Sequence, residues 1–303
     1  MSLFEAHKYL GTIASGAGPM GIRLDSDYAS AYLMRAVAYR DKGDYDHALV
    51  EFAEAIRRNV NGEKDKNDGK TTIAFSLSLG DNVDSIDANN ERAAIYAARH
   101  DYASAVADYD EVIRRNKNFN HVYLRRAYVN LGLGARNQAI ADFQTAIKLD
   151  PKYADAFNGL GILYFGIKDY RRAIENFGKA IVLNPNFPEA YANRGGAYIG
   201  LGENDRGLAD LDEAVRLDPK YFNARRNRAA AYSRKGENDR AIADVDEAIQ
   251  IDPTNPDGYR QRAAIFVAVG RKTAAIADYR KALALDPGDT EAKRGLEQLQ
   301  VPQ

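Results

Sequence analysis

The sequence predicts an all-α solenoid: seven helix–turn–helix repeats followed by a C-terminal capping helix. Two observations carry the prediction. A fixed set of residue types recurs every 34 residues, and such a period marks stacked helix pairs that bury their apolar faces only against neighbouring pairs. Within each period apolar residues fall three and four apart, the spacing of a helix with one buried face.

The register is clearest in the segments that begin at Ala154, Pro188, Phe222 and Pro256. Each has an aromatic or long residue at position 4, Gly or Ala at 8, an aromatic at 11, a small residue at 20, an apolar residue at 24, Ala at 27 and Pro at 32. In the segment from Ala154 these are Phe157, Gly161, Tyr164, Ala173, Phe177, Ala180 and Pro185. The same register extends back to starts at Asn120, Ile86 and Ala29. Five of the six start-to-start steps measure 34; the first is 57, so 23 extra residues lie near Val60 to Ser85.

Each element then follows. Positions 2–14 and 18–31 form two amphipathic helices, with small residues at 8 and 20 where the pair approaches closely. First helices are expected near residues 30–41, 87–98, 121–132, 155–166, 189–200, 223–234 and 257–268. Asp-Pro or Asn-Pro at positions 31–32 ends the second helix, because the residue before Pro is pushed out of the α region. From Thr290, a short pattern through Lys293, Leu296 and Leu299 supplies the polar cap that a solenoid end requires. The organisation is therefore a segment 1–28 of unassigned structure, repeats over 29–289 with an insertion near 60–85, and a cap and tail over 290–303. The insertion begins polar and ends with Ile73, Phe75, Leu77 and Leu79, which reads as a loop followed by a docking segment.

Composition narrows the function. With 42 basic and 43 acidic residues the chain is nearly neutral, which argues against bulk nucleic-acid binding. The absence of Cys removes thiol catalysis, disulfides and cysteine metal sites. His7, His47, His100 and His121 are scattered without ligand spacing, and no glycine cluster continues into the Lys-Ser/Thr of a phosphate loop. No metal or cofactor is expected, and no enzyme activity. No apolar run approaches a membrane span, and residues 1–10 lack the pattern of a signal peptide. The cytoplasm is the default compartment, with the periplasm open if a native leader preceded Met1-Ser2-Leu3.

The repeat resembles the tetratricopeptide repeat (TPR), and the resemblance covers about four-fifths of the chain. It implies a right-handed superhelix whose first helices line a concave groove, with ligand contacts from positions 2, 5, 6, 9, 12 and 13. Position 6 holds Asn193, Asn227 and Gln261 in the last three repeats, and side-chain amides can both donate to and accept from an extended backbone. Position 5 holds Arg226 and Arg260, and position 6 of the third repeat holds Arg125; guanidinium forks suit carboxylates. An ordinary polar surface and charge balance with Asp257 and Glu189 are the competing readings. The carboxylate clamp that grips chaperone tails is absent, because it needs Asn at position 9, where the chain has Val37, Ala94, Tyr128, Ile162, Gly196, Ala230 and Ala264. Gly159, Gly166, Gly196 and Gly200 are expected to leave a smooth groove floor.

A non-catalytic scaffold that holds an extended peptide or acidic segment is the preferred function. A self-associating structural scaffold, and the recognition arm of a larger enzyme complex, are the alternatives. One covariation among the repeats separates structural from binding arginines. Position 7 is Arg in six repeats (Arg35, Arg92, Arg126, Arg194, Arg228, Arg262), and position 23 is acidic in the same six (Glu51, Asp108, Asp142, Asp210, Asp244, Asp278). Both change together in repeat four, to Leu160 and Asn176. The joint loss predicts an ion pair between the two helices of each hairpin and assigns these arginines to structure.

Overall fold

The computed structural model describes residues 29–65 and 83–299. The expected structure of the segment 1–28 and of most of the insertion lies outside these residues. The described chain forms fifteen helices and no strand, and it divides into two compact units that meet between Pro151 and Lys152.

The first unit contains three hairpins: α1 (Ala29–Asp41) with α2 (Tyr45–Asp65), α3 (Val83–Ala98) with α4 (Tyr102–Arg115), and α5 (Asn120–Gly132) with α6 (Arg136–Leu149). The second contains four: α7 (Ala154–Gly166) with α8 (Tyr170–Leu183), α9 (Pro188–Gly200) with α10 (Asn204–Leu217), α11 (Phe222–Arg234) with α12 (Asn238–Ile251), and α13 (Pro256–Ala268) with α14 (Lys272–Leu285). The cap, α15, spans Thr290–Gln298. These are the fourteen repeat helices and capping helix that the register predicts. Two boundaries differ: α2 continues to Asp65 and α3 begins at Val83. The first repeat ends in Asn59-Val60 instead of a residue followed by Pro, so the signal that stops the later second helices is missing.

Helix ends follow from local chemistry. Asp150, Asn184, Asp218, Asp252 and Asp286, each before Pro, adopt φ between −130° and −137°. Asn116 ends α4 with φ −139° although Lys117 follows it. Its side chain accepts a hydrogen bond from the backbone of Asn118, the same Asx turn that Asn184, Asp218, Asp252 and Asp286 make, so this turn ends the helix with or without Pro. The cap begins at Asp289, whose carboxylate accepts from the backbone N–H groups of Glu291 and Ala292, satisfying two of the orphan donors of a helix start.

Packing explains the small residues. Ala36, Ala93, Ala127, Ala229 and Ala263 at position 8 and Ala48, Ala105, Ala139, Ala173, Ala241 and Ala275 at position 20 are all fully buried. In repeat five both positions are Gly: a Cβ on Gly195 would lie 2.9 Å from the Gly207 carbonyl oxygen, so only glycine fits this approach. The position-24 side chains Phe52, Tyr109, Phe143, Phe177, Leu211 and Val245 fill the remaining space. Burying such a side chain contributes roughly 1.5–3 kcal/mol.

The predicted ion pair is present in all six repeats that carry the residues. Arg35–Glu51, Arg92–Asp108, Arg126–Asp142 and Arg228–Asp244 lie at 2.6 Å, and Arg194–Asp210 and Arg262–Asp278 at 2.7 Å. Five are forked, with Nε and one terminal nitrogen donating to the two carboxylate oxygens. The Asp carboxylates are buried while the guanidinium groups are only half-buried. Three arginines also cross to the preceding repeat, Arg126 to Asp110, Arg228 to Asp212 and Arg262 to Asp246. In repeat four Leu160 is buried, and the buried Asn176 side chain donates to the Arg172 carbonyl.

Two predictions follow from these contacts. Asp244→Ala strands Arg228 half-buried with only Asp212, and urea unfolding should show a loss of about 3 kcal/mol. Arg228→Leu combined with Asp244→Asn copies repeat four and should be close to neutral; equal losses in both variants would remove the pair from the stability account. The second concerns pH. Glu111 accepts from Arg114 and Arg115, and these bonds hold its carboxyl down to about 2, below the ordinary value of about 4.3. The folded value is the lower one, so this contribution is complete above the ordinary value and is lost as pH falls through the window down to about 2. Glu111→Gln should flatten acid unfolding in that window by less than about 1 kcal/mol, because Glu111 is only partly buried and solvent screens its bonds.

Candidate functional site

In each unit, first helices contact the first helices of adjacent repeats, whereas second helices do not contact one another. Like helices come closest on the inner side of a curved stack, so the first helices form the concave face of each unit. In the second unit that face is built from α7, α9, α11 and α13.

Asn193, Arg226, Asn227, Arg260 and Gln261 all lie on these helices, and all five are half-buried. Their side chains do not have equal freedom. Asn193 Nδ2 donates to Asn158 Oδ1 on the preceding repeat at 3.1 Å. Gln261 Nε2 donates to the Arg226 carbonyl at 2.8 Å, while Gln261 Oε1 is buried without a partner. The amide ladder therefore ties consecutive first helices together through its donors. Asn227 faces Gly196, where a Cβ would sit 3.9 Å from its Nδ2.

The arginines differ more sharply. Arg260 bonds Asp257 at 2.5 Å, Asp289 at 3.0 Å and Glu291 at 3.1 Å, so it joins the last repeat to the start of the cap. Arg225 pairs with Glu247, and Arg234 donates to the Ile199 carbonyl. Arg194, Arg228 and Arg262 are held by their position-23 acids. Among the described residues, Arg226 is the one arginine on a first helix of this unit without a carboxylate or carbonyl partner, and its Nε is buried and unbonded. Arg125 belongs to the first unit, where it is exposed beside Tyr109. Burial pushes the Tyr109 hydroxyl up from its ordinary value, and the Arg125 guanidinium partly offsets that.

The glycine floor holds at two of the four positions. Nothing lies within 4 Å of a Cβ placed on Gly166, and at Gly196 the nearest atoms, in the Phe165 ring, are at 3.7 Å. Gly200 is a seat instead: its Cβ would meet the Tyr170 ring at 2.7 Å. The aromatic at position 17 of one repeat rests on the glycine at position 13 of the next, and Tyr102 and Gly132 repeat the arrangement at 2.7 Å in the first unit. Gly159 is buried within α7 and contributes no floor. Ile162 and Phe165 are exposed on the same face, so its repeat-four end is apolar and its repeat-six end carries Arg226.

Gly166→Ala should raise stability by up to about 1 kcal/mol, since an open helical glycine gives only an entropic cost. Gly161→Ala should lower it by about 1–3 kcal/mol, because its Cβ would stand 2.6 Å from the buried Phe177 ring. Thermal melts of the two variants moving in the same direction would contradict this division of the glycines.

No group of three or more metal-binding side chains occurs among the described residues, and no helix among them is long and apolar enough to cross a membrane. Family models described as tetratricopeptide repeat match residues 29–59, 154–187, 193–256 and 228–300, and one described as TPR repeat matches 133–168. No curated protein matches the chain. Among solved structures, a tetratricopeptide repeat protein from Parabacteroides merdae is 19% identical with a TM-score of 0.70, over 90% of this chain and 98% of that one. PilW, a widely conserved type IV pilus biogenesis factor, is 20% identical with a TM-score of 0.63, over 70% and 98%. A thermophilic TPR protein in Thermus thermophilus is 24% identical with a TM-score of 0.54, over 60% and 98%. At these identities the likeness is one of fold. Together with the 34-residue register and the stacked hairpins, the matches identify the chain as a member of the tetratricopeptide-repeat family.

Proposed function

We propose that this chain is a non-catalytic protein-interaction scaffold whose second unit holds an extended segment of a partner on its concave face, with an acidic residue of that segment at Arg226. The observation that carries the reading is the unpartnered Arg226 among arginines that are otherwise bonded. A cation that desolvates on folding without an internal anion is one for which an external carboxylate is a net gain. Gln261 Oε1, buried and unbonded, can accept from a bound backbone once its side chain adjusts. Asn193, Asn227 and Gln261 then contact the peptide backbone without reading its sequence.

Arg260, which sequence pattern groups with Arg226, takes a different role. Its three acids already compensate its charge, so it supports the end of the binding face without gripping the ligand. Arg125 offers an exposed guanidinium on the first unit, as a separate contact for an acidic partner.

Arg226→Ala should weaken binding of extended acidic peptides by about tenfold or more, since a charge-assisted hydrogen bond contributes about 1.5–3 kcal/mol. Its melting temperature should stay near the parent's. Arg260→Ala should instead loosen α15, read as faster amide exchange over residues 290–298. Unchanged peptide affinity in folded Arg226→Ala would remove the anion seat.

A further inference from the structure

The hairpin turn of repeat four departs from its neighbours in a way that the groove does not explain. Position 15 turns through the left-handed region in all seven repeats. Glycine occupies it in five: Gly43, Gly134, Gly202, Gly236 and Gly270, at φ +72° to +81°. Repeat two places His100 there at φ +61° and repeat four Lys168 at φ +62°, a conformation disfavoured for any residue with a Cβ. Glycine would fold more easily at this point, so the side chain is kept at a cost, and such strain concentrates at functional positions.

Lys168 stands at an open cleft of about 490 Å³ lined by Ile167, Lys168, Asp169, Tyr170, Arg171, Arg172 and Leu201. The apolar lining is exposed: Ile167 is 41% and Leu201 40% accessible. Beside them, Tyr170 is fixed from below by Gly200 and edge-on by Phe165, with ring centroids 5.5 Å apart. Asp169 is consumed internally, since it caps α8 and binds the Arg172 guanidinium. Arg172 also lies over the Tyr164 ring. Lys168 and Arg171 are exposed and make no ion pair among the described residues, so the rim carries two positive charges that these residues leave uncompensated. The equivalent turns of repeats five and six contain acids instead, and Glu203, Asp205 and Glu237 pair with Arg206, Lys235 and Arg240. The turn of repeat seven also carries exposed cations, Arg271 and Lys272, but at repeat four the surplus charge borders both a left-handed lysine and an apolar cleft.

We infer that the turn edge of repeat four is a second binding site, separate from the concave face, for a partner-protein segment with an apolar side chain flanked by acidic residues. The apolar side chain enters between Ile167 and Leu201 over Tyr170, and the flanking carboxylates meet Lys168 and Arg171. Charge complementarity selects the occupant, because the rim has no internal anion left to neutralise it.

The test titrates isotope-labelled full-length chain with a blocked hexapeptide, Glu-Glu-Leu-Phe-Glu-Glu, followed by backbone amide shifts. Shifts should cluster at residues 167–172 and 201, and should persist in the Arg226→Ala background. The same peptide with Lys flanks should leave these amides unmoved. In the decisive variant, Lys168→Gly with Arg171→Ala, affinity should fall at least fivefold, while Lys168→Gly alone raises the Tm by about 2 °C. Higher stability with weaker binding is a pattern that a merely structural lysine does not produce. The inference is overturned if the double variant binds as tightly as the parent or if acidic-peptide shifts map elsewhere. It also fails if no shift appears at millimolar peptide, or if anionic phosphatidylserine vesicles move these amides and the peptide does not.

Discussion

A guanidinium held between the two helices of a hairpin is the contact around which six of the seven repeats are organised. The position-7 arginine reaches a buried carboxylate sixteen residues on, in a forked geometry that fixes both the distance and the rotation of the paired helices. Burying a carboxylate is unfavourable unless it is paired, so a hairpin that opened would leave Asp108, Asp142, Asp210, Asp244 or Asp278 without compensation in an apolar layer. The alanines and glycines at positions 8 and 20 depend on the same registration, since they contact only when the helices approach at that angle. Where the guanidinium also bonds an acid of the preceding repeat, as Arg126, Arg228 and Arg262 do, the hairpin contact becomes an inter-repeat contact as well.

Repeat four shows what replaces that contact. Leu160 and Asn176 leave an apolar joint with a self-satisfied amide, and Gly161 lets the Phe177 ring close against α7. Arg194, on the next repeat, would reach toward position 25 of repeat four, but Gly178 stands there, 3.7 Å from the guanidinium for an added Cβ. Packing against aromatic side chains carries this part of the second unit in place of charge. The same repeat carries the exposed Ile162 and Phe165 on its inner face and the strained Lys168 at its turn. Local departures from the repeat pattern gather in the repeat that lacks the position 7–23 ion pair.

Charge accounting thus separates residues that look alike. Arg226 and Arg260 share a position in adjacent repeats and the same nominal exposure. One has no anion and the other has three, because the last repeat is followed by α15 and its acidic N-terminus instead of another hairpin. A formal net charge of −1 hides this distribution, since most arginines are neutralised within the fold.

Much of the architecture was legible in the sequence because the repeat is a local code. The period set the number of hairpins, proline and Asx residues set the ends of second helices, and the joint change to Leu160 and Asn176 in repeat four exposed the position 7–23 ion pair of the others. Those features involve residues within one 34-residue unit, whose separations are fixed by helix geometry. The tertiary structure decided which groove residues are free. The bond from Asn193 to Asn158, the three acids around Arg260 and the Tyr170 ring on Gly200 all cross from one hairpin to another. Such contacts depend on side-chain direction and on how neighbouring hairpins stack, and equivalent positions in the pattern meet different neighbours. Periodicity therefore located the concave face, and packing between repeats determined which of its side chains are already bonded within the fold.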